Sequence, residues 1–235
     1  WQFNEPYPNN TCTCSVDYYA SPKPVYYGIR TAYGPETVTA RFDSQTLKGR
    51  DAFCAQLFWQ SSFGDRTPEK VLAYVVAQDG TVCAQKEFFC KDLRTEAEKA
   101  ACVGTICCPA QKIETGVFYL ALKALDAAGA VLAQNRYCFT KTDLSELLCL
   151  PKARVETGMT ETQNGCMLEV ENTGTTAAAG LWLEDADALE GEEKGYLYFS
   201  ENYFYLFPGE KKTVRITGTK GKPIMLRISG FNVEG

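Results

Sequence analysis

From residue 36 to about residue 140 the apolar and polar residues recur with a period near two, the spacing of a β-strand, rather than the 3.6 of a helix. Residues 37–42 (Thr-Val-Thr-Ala-Arg-Phe) alternate, and 53–63 form a long β-prone run. Residues 71–76 and 81–89 flank Gln78-Asp79-Gly80, a pattern that predicts a hairpin turning at Asp79-Gly80. Residues 100–108, 117–125 and 131–139 supply further strands, the last two joined through 126–129. About six or seven strands separated by turn signals predict an antiparallel β-sandwich. The charged stretch 93–99 reads as a solvated connection.

Pro151 and its charged flank mark a boundary near residue 150, after which the pattern resumes. Residues 154–160 and 165–171 read as strands, Asn172-Thr173-Gly174 as a turn, and 176–184 as an alternating strand. An acidic loop over 185–195 leads to short strands at 196–199 and 204–207. Pro208-Gly209 then turns the chain into strands at 212–217 and 225–229. A second sandwich over 151–235 is expected. Residues 1–35 differ: Pro, Tyr and Asn are frequent and alternation is rare. Tyr26, Ile29, Arg30 and Tyr33 fall at i, i+3, i+4 and i+7, predicting a short amphipathic helix opened by Pro24 and closed by Gly34-Pro35.

The composition, 45% hydrophobic and 23% charged over 235 residues, is that of a globular chain with a sizeable core. It contains no histidine, which removes the Ser-His-Asp triad, the Cys-His pair and every His metal ligand. A net charge of −5 argues against nucleic-acid partners and anionic membrane surfaces. No apolar run is long enough to span a membrane. The opening Trp-Gln-Phe-Asn is no signal peptide, and a chain that starts at Trp1 reads as a piece of something longer. Eleven cysteines, an odd number without Cys-x-x-Cys spacing, predict mostly buried free thiols in a reducing cytoplasm, with a secreted disulfide scaffold as the main alternative and a metal site as the least favoured one. Cys54, between Phe53 and Ala55, is read as one of these small buried hydrophobes. The run 190–193 lacks the ligand order of a calcium loop. Asn9-Asn10-Thr11 fits a glycosylation acceptor only in a secreted setting. The aromatic cluster from Tyr196 to Phe207 is expected to pack chiefly into the core.

Two sets of motifs carry a resemblance. Trp1-Gln2-Phe3-Asn4-Glu5-Pro6-Tyr7-Pro8, then Val16-Asp17-Tyr18-Tyr19, then Lys23-Pro24-x-Tyr26-Tyr27 resemble the end of a catalytic (β/α)8 barrel in family-2 glycoside hydrolases. The similarity is greatest to the β-mannosidase branch and its relatives, the exo-β-glucosaminidases. Independently, Ser200-Glu201-Asn202-Tyr203-Phe204-Tyr205-Leu206-Phe207-Pro208-Gly209-Glu210 is similar to a signature of the C-terminal immunoglobulin-like domain of those enzymes. Asn172-Thr173-Gly174 and Leu181-Trp182-Leu183-Glu184 accompany it there. Residues 36–150 match in length and strand pattern only.

The resemblance implies a mainly β chain: the last strand and helix of a barrel over 1–35, then tandem immunoglobulin-like β-sandwiches over 36–150 and 151–235. It implies a retaining glycosidase acting on terminal β-linked sugars of oligosaccharides or glycoconjugates. The two catalytic Glu of such enzymes, about 5 Å apart, would lie upstream of Trp1, so this chain would hold no catalytic residue, would need no cofactor and would be inactive alone. Its partners would be its own upstream barrel and the parent enzyme's substrate. Trp1 would offer an indole face to the sugar, with Asn4 at the same rim as a hydrogen-bonding group. Glu5 follows Asn4 as an acid/base carboxylate does in such barrels, but no further barrel strands come after it. It is expected to hydrogen-bond around its loop. Detached from its barrel, the opening segment is expected to be poorly ordered or to dock on the first sandwich. The alternative is a free-standing carbohydrate-binding or structural β-sandwich module.

Overall fold

The computed structural model describes residues 3–5, 7, 13–62, 66–93, 99–186, 197–218 and 224–233. The chain is mainly β and divides into two compact units. One comprises Ala32–Leu150. The other joins the chain up to Thr31 to Pro151 and beyond.

In the unit of Ala32–Leu150, β1 (Glu36–Arg41), β2 (Ala52–Ser61) and β5 (Ala101–Pro109) form a sheet ordered β1-β2-β5. A second sheet, ordered β4-β3-β6-β7, contains β3 (Lys70–Ala77), β4 (Val82–Phe89), β6 (Val117–Leu125) and β7 (Val131–Thr140). Every pairing is antiparallel. The period of two on β2 becomes a core face: Phe53, Ala55, Leu57, Trp59 and Ser61 are buried, and the residues between them are not. Phe53, Ala55, Leu57 and Trp59 pack with Val71, Ala73, Ile106, Phe118, Leu120 and Phe139 in one hydrophobic cluster. Phe53, Phe118 and Phe139 meet with ring centroids 4.6 to 5.3 Å apart. The Asp79-Gly80 turn forms as expected. Ala77 donates to the Thr81 carbonyl at 2.8 Å, Thr81 donates to Asp79 Oδ1 at 2.9 Å, and Gly80 takes φ 88°, a conformation that disfavours side chains.

The structure departs from the sequence reading in two places here. Burial does not alternate along β6, whose residues Val117 to Leu122 are all buried. Tyr119 is fully buried there, and burial pushes the pKa of the Cys138 thiol, opposite it on β7, up to about 12. The second departure concerns cysteine. Cys54 and Cys107 are joined in a disulfide across β2 and β5. Neither is a buried free thiol, because both occupy outward positions beside buried neighbours. Cys83, Cys90, Cys102, Cys108, Cys138, Cys149 and Cys166 are free thiols, of which Cys90, Cys108 and Cys166 are buried.

In the other unit, β8 (Val155–Thr162), β9 (Gly165–Asn172), β11 (Tyr198–Phe199) and β13 (Lys211–Thr217) form a sheet ordered β11-β13-β9-β8. The facing sheet, β12-β10-β14, contains β10 (Ala178–Asp185), β12 (Phe204–Leu206) and β14 (Leu226–Ser229). Leu168, Val170, Leu181, Leu183, Phe204, Leu206, Val214 and Ile216 form the core between them. Three asparagines with buried side chains stitch the loops. Asn172 donates to the carbonyls of Thr176 and Leu206 and accepts from Gly174. Asn202 both accepts from and donates to the Leu183 backbone. Asn232 donates to Pro151 and Ala177 and accepts from Ala179. Asparagine suits this task because one side chain supplies a donor pair and an acceptor. The expected acidic loop over 185–195, with its run 190–193, and the expected connection over 93–99 lie mostly outside the described residues.

Candidate functional site

The helix predicted between Pro24 and Gly34 forms as α1 (Pro24–Ala32). Its N–H-less Pro24 stands at the first turn, where no intrahelical acceptor is available. The stripe of Tyr26, Ile29, Arg30 and Tyr33 packs only in part. Tyr27 is the buried residue of the helix, while Ile29 and Tyr33 are exposed. The reason is the surface α1 meets. Tyr27 Oη donates to the Phe199 carbonyl at 3.3 Å, and its ring lies 5.7 Å from that of Tyr203. Arg30 donates to Tyr198 Oη at 3.1 Å and to the Ser200 carbonyl. Helix α1 therefore packs on the C-terminal sandwich, within the same compact unit, where docking on the first sandwich was expected.

This contact brings together the two segments that carry the sequence resemblance, which lie about 170 residues apart in the chain. The signature after β11 is built for backbone bonding. Ser200 Oγ accepts from the Arg215 N–H at 2.9 Å, and Glu201 pairs with Lys212. Asn202 Oδ1 accepts from the Tyr203 N–H at 2.9 Å, holding Tyr203 at φ 56°, a left-handed conformation uncommon for a bulky residue. Phe204 and Leu206 enter the core. Pro208-Gly209 closes as a turn in which Glu210 accepts from the Phe207 N–H at 2.8 Å, while Gly209 donates to the Asn172 carbonyl. The aromatic cluster enters the core less fully than expected: Phe199 and Phe204 are buried, Tyr198, Tyr203, Tyr205 and Phe207 are half-buried, and Tyr196 lies outside the described residues. Burial raises the pKa of Tyr27 and of Tyr203, and Glu184 and Asp17 add to the latter. A hydrogen bond with Tyr198 raises Tyr26. These phenols stay protonated and act as packing and hydrogen-bonding groups.

Asn4 pairs with Val16 in a parallel bridge, and Val16 pairs in turn with Pro22. Glu5 donates its N–H to the Val16 carbonyl at 3.2 Å. Asn4 is exposed. Glu5 is buried, its side chain 2% exposed, and it is ion-paired with Lys23. A carboxylate held this way is a structural counter-charge that ties Glu5 to Lys23. Lys23→Met leaves that carboxylate buried without its cation. Limited chymotrypsin digestion over residues 5–25 is then expected to run several-fold faster; an unchanged rate would mean the pair does not hold the loop. Trp1, the other predicted site residue, lies outside the described residues, as do Asn9 to Thr11. Among the described residues no three Cys, Asp or Glu side chains gather as a metal site requires. No described helix is long and apolar enough to cross a membrane.

Sequence reasoning missed Tyr27, Arg30 and Tyr203 as the residues that join the two motifs. The signal was present in Tyr26-Tyr27 and Asn202-Tyr203, which had been read separately.

The fold is that of β-sandwich units, the class to which immunoglobulin-like domains belong. Residues 136–233 match the family described as the exo-beta-D-glucosaminidase Ig-fold domain. The exo-chitosanase CsxA of Amycolatopsis orientalis has a similar fold over 100% of this chain, with a TM-score of 0.67 and 18% identity. The structure of CsxA, there termed an exo-beta-D-glucosaminidase, with a glucosamine-configured castanospermine gives a TM-score of 0.66 and 17% identity over 100% of the chain. In both comparisons the chain spans 30% of the CsxA chain. No curated protein sequence matches.

Proposed function

We propose that this chain is the non-catalytic C-terminal part of a retaining glycoside hydrolase that acts on terminal β-linked sugars. The observation that carries the reading is the junction of the two motif-bearing segments in one unit, through Tyr27 and Arg30. The similarity of residues 136–233 to an exo-beta-D-glucosaminidase Ig-fold domain supports it. In this reading residues 1–35 end the catalytic barrel. Trp1 and Asn4 stand at its sugar-facing rim, where an indole face packs against sugar C–H groups and an exposed amide bonds a hydroxyl. Both catalytic carboxylates belong to the upstream barrel, which is the chain's partner. The C-terminal sandwich braces that barrel by holding α1. The wording of the opening motifs favours a β-mannoside as substrate, and the similarity to CsxA favours a β-glucosaminide. The free thiols suit a reducing cytoplasm.

Assaying the chain and the full-length protein of its gene on p-nitrophenyl β-D-glucosaminide and β-D-mannoside tests the reading. The chain alone is expected to turn over neither, and the full-length protein one of them. Turnover by the chain alone would refute its non-catalytic role. Sugar binding by an independently encoded chain with no upstream barrel would establish the free-standing module instead.

A further inference from the structure

We infer that the Cys54–Cys107 bridge is a redox-sensitive clasp, which a dithiol opens in the folded protein and reoxidation closes again. Cys54 on β2 and Cys107 on β5 are direct partners across the antiparallel ladder. Both side chains face solvent. Their chain neighbours Phe53, Ala55, Ile106 and Cys108 face the core and are buried. The pairing of β2 with β5 therefore rests on the core face and on backbone bonds that run from Ala52–Pro109 to Trp59–Ala101. The ladder keeps the two sulfurs opposite each other whether or not they are bonded. β5 is also an edge strand of its sheet, so an incoming thiolate approaches without displacing another strand.

A reductant reaches an exposed disulfide without prior unfolding, and access is one of the terms that set the rate of exchange. One thiolate of the dithiol attacks Cys54 or Cys107 Sγ. The S–S bond breaks, the other sulfur leaves as a thiolate, and a mixed disulfide forms. The second thiol of the reductant then attacks that mixed disulfide and releases the remaining cysteine. Two electrons and two protons pass to the protein, and the reductant leaves as its own disulfide. Closure is the reverse. The bridge spans 53 residues of sequence, so its loss frees the unfolded chain and lowers stability. Cys102 is exposed on the same strand, its sulfur 3.3 Å from Gln56 Nε2, and serves as the internal control for access.

The test is iodoacetamide trapping of the native protein across dithiothreitol ratios, with peptide mapping by mass spectrometry and thermal melts on the same samples. Without reductant, Cys102 is expected to be alkylated and Cys54 and Cys107 spared. With reductant, both become alkylated while circular dichroism stays native. The melting midpoint falls by about 10 °C, and oxidised dithiothreitol restores it. The double variant Cys54→Ser/Cys107→Ser should melt at the reduced midpoint and ignore reductant, whereas Cys102→Ser should keep the full response. Alkylation of the pair without reductant would overturn the inference. So would resistance to reductant until global unfolding, or a midpoint that reduction leaves unchanged. The wild-type measurements decide the matter even if the double variant fails to fold.

Discussion

Asn172→Ala is expected to destabilise the C-terminal sandwich by about 3–5 kcal/mol, since each buried group left without a partner costs about 1–3 kcal/mol. The side chain of Asn172 is fully buried and makes three bonds. Its amide ties the carbonyl of Thr176 to that of Leu206, and its Oδ1 fixes the Gly174 turn. Alanine removes all three and leaves two carbonyls and one N–H stranded where water does not replace the lost partners. Asn172→Asp separates the contributions: it keeps the acceptor for Gly174 but replaces two donors with a buried carboxylate. It should therefore be no better than alanine and should recover as the pH is lowered and the carboxyl protonates. Urea unfolding followed by tyrosine fluorescence would show the loss as a lower midpoint with an unchanged slope. A loss below about 1 kcal/mol would mean that the loops are held by something other than this amide.

Trp59→Ala is the second large effect, about 3–5 kcal/mol, in the range found for aromatic-to-alanine changes in cores. Trp59 is fully buried on β2, opposite Val38 on β1 and Ala101 on β5. Its indole N–H donates to the Arg66 carbonyl at 3.0 Å. Trp59→Phe keeps much of the packing and loses the donor, so about 1–2 kcal/mol is expected. The ratio of the two losses, read from denaturant midpoints, separates volume from hydrogen bonding. Equal losses would show that the indole N–H dominates, against the cavity account.

The strands were legible because period two survives wherever one face of a strand is buried, as on β2. It failed on β6, where a buried Tyr119 makes the outward face read like the inward one. The position of α1 was legible from Pro24 and Gly34-Pro35, which are local signals. Its packing face was not, because Tyr27 is chosen by Phe199 and Tyr203, far along the chain. The disulfide was half legible. Alternation along Phe53-Cys54-Ala55 already turns Cys54 outward, but its partner depends on the register of β2 with β5, which no local pattern specifies. Asn202 and Asn172 stood out in the sequence as parts of motifs. Only their hydrogen bonds show that these motifs encode loop geometry, so their match to a domain signature reports fold before chemistry.

The hydrogen bond from Tyr27 to Phe199 has a consequence for the order in which the chain can fold. Emerging from a ribosome, α1 appears well before the strand it needs, and the whole of Ala32–Leu150 is made in between. At ordinary synthesis rates that is a wait of roughly 10–30 s. Meanwhile the inserted sandwich, whose strands all pair within itself, can close its own core. Helix α1 is thus made long before the sandwich that holds it, and until then Tyr26 and Tyr27 lack that cover.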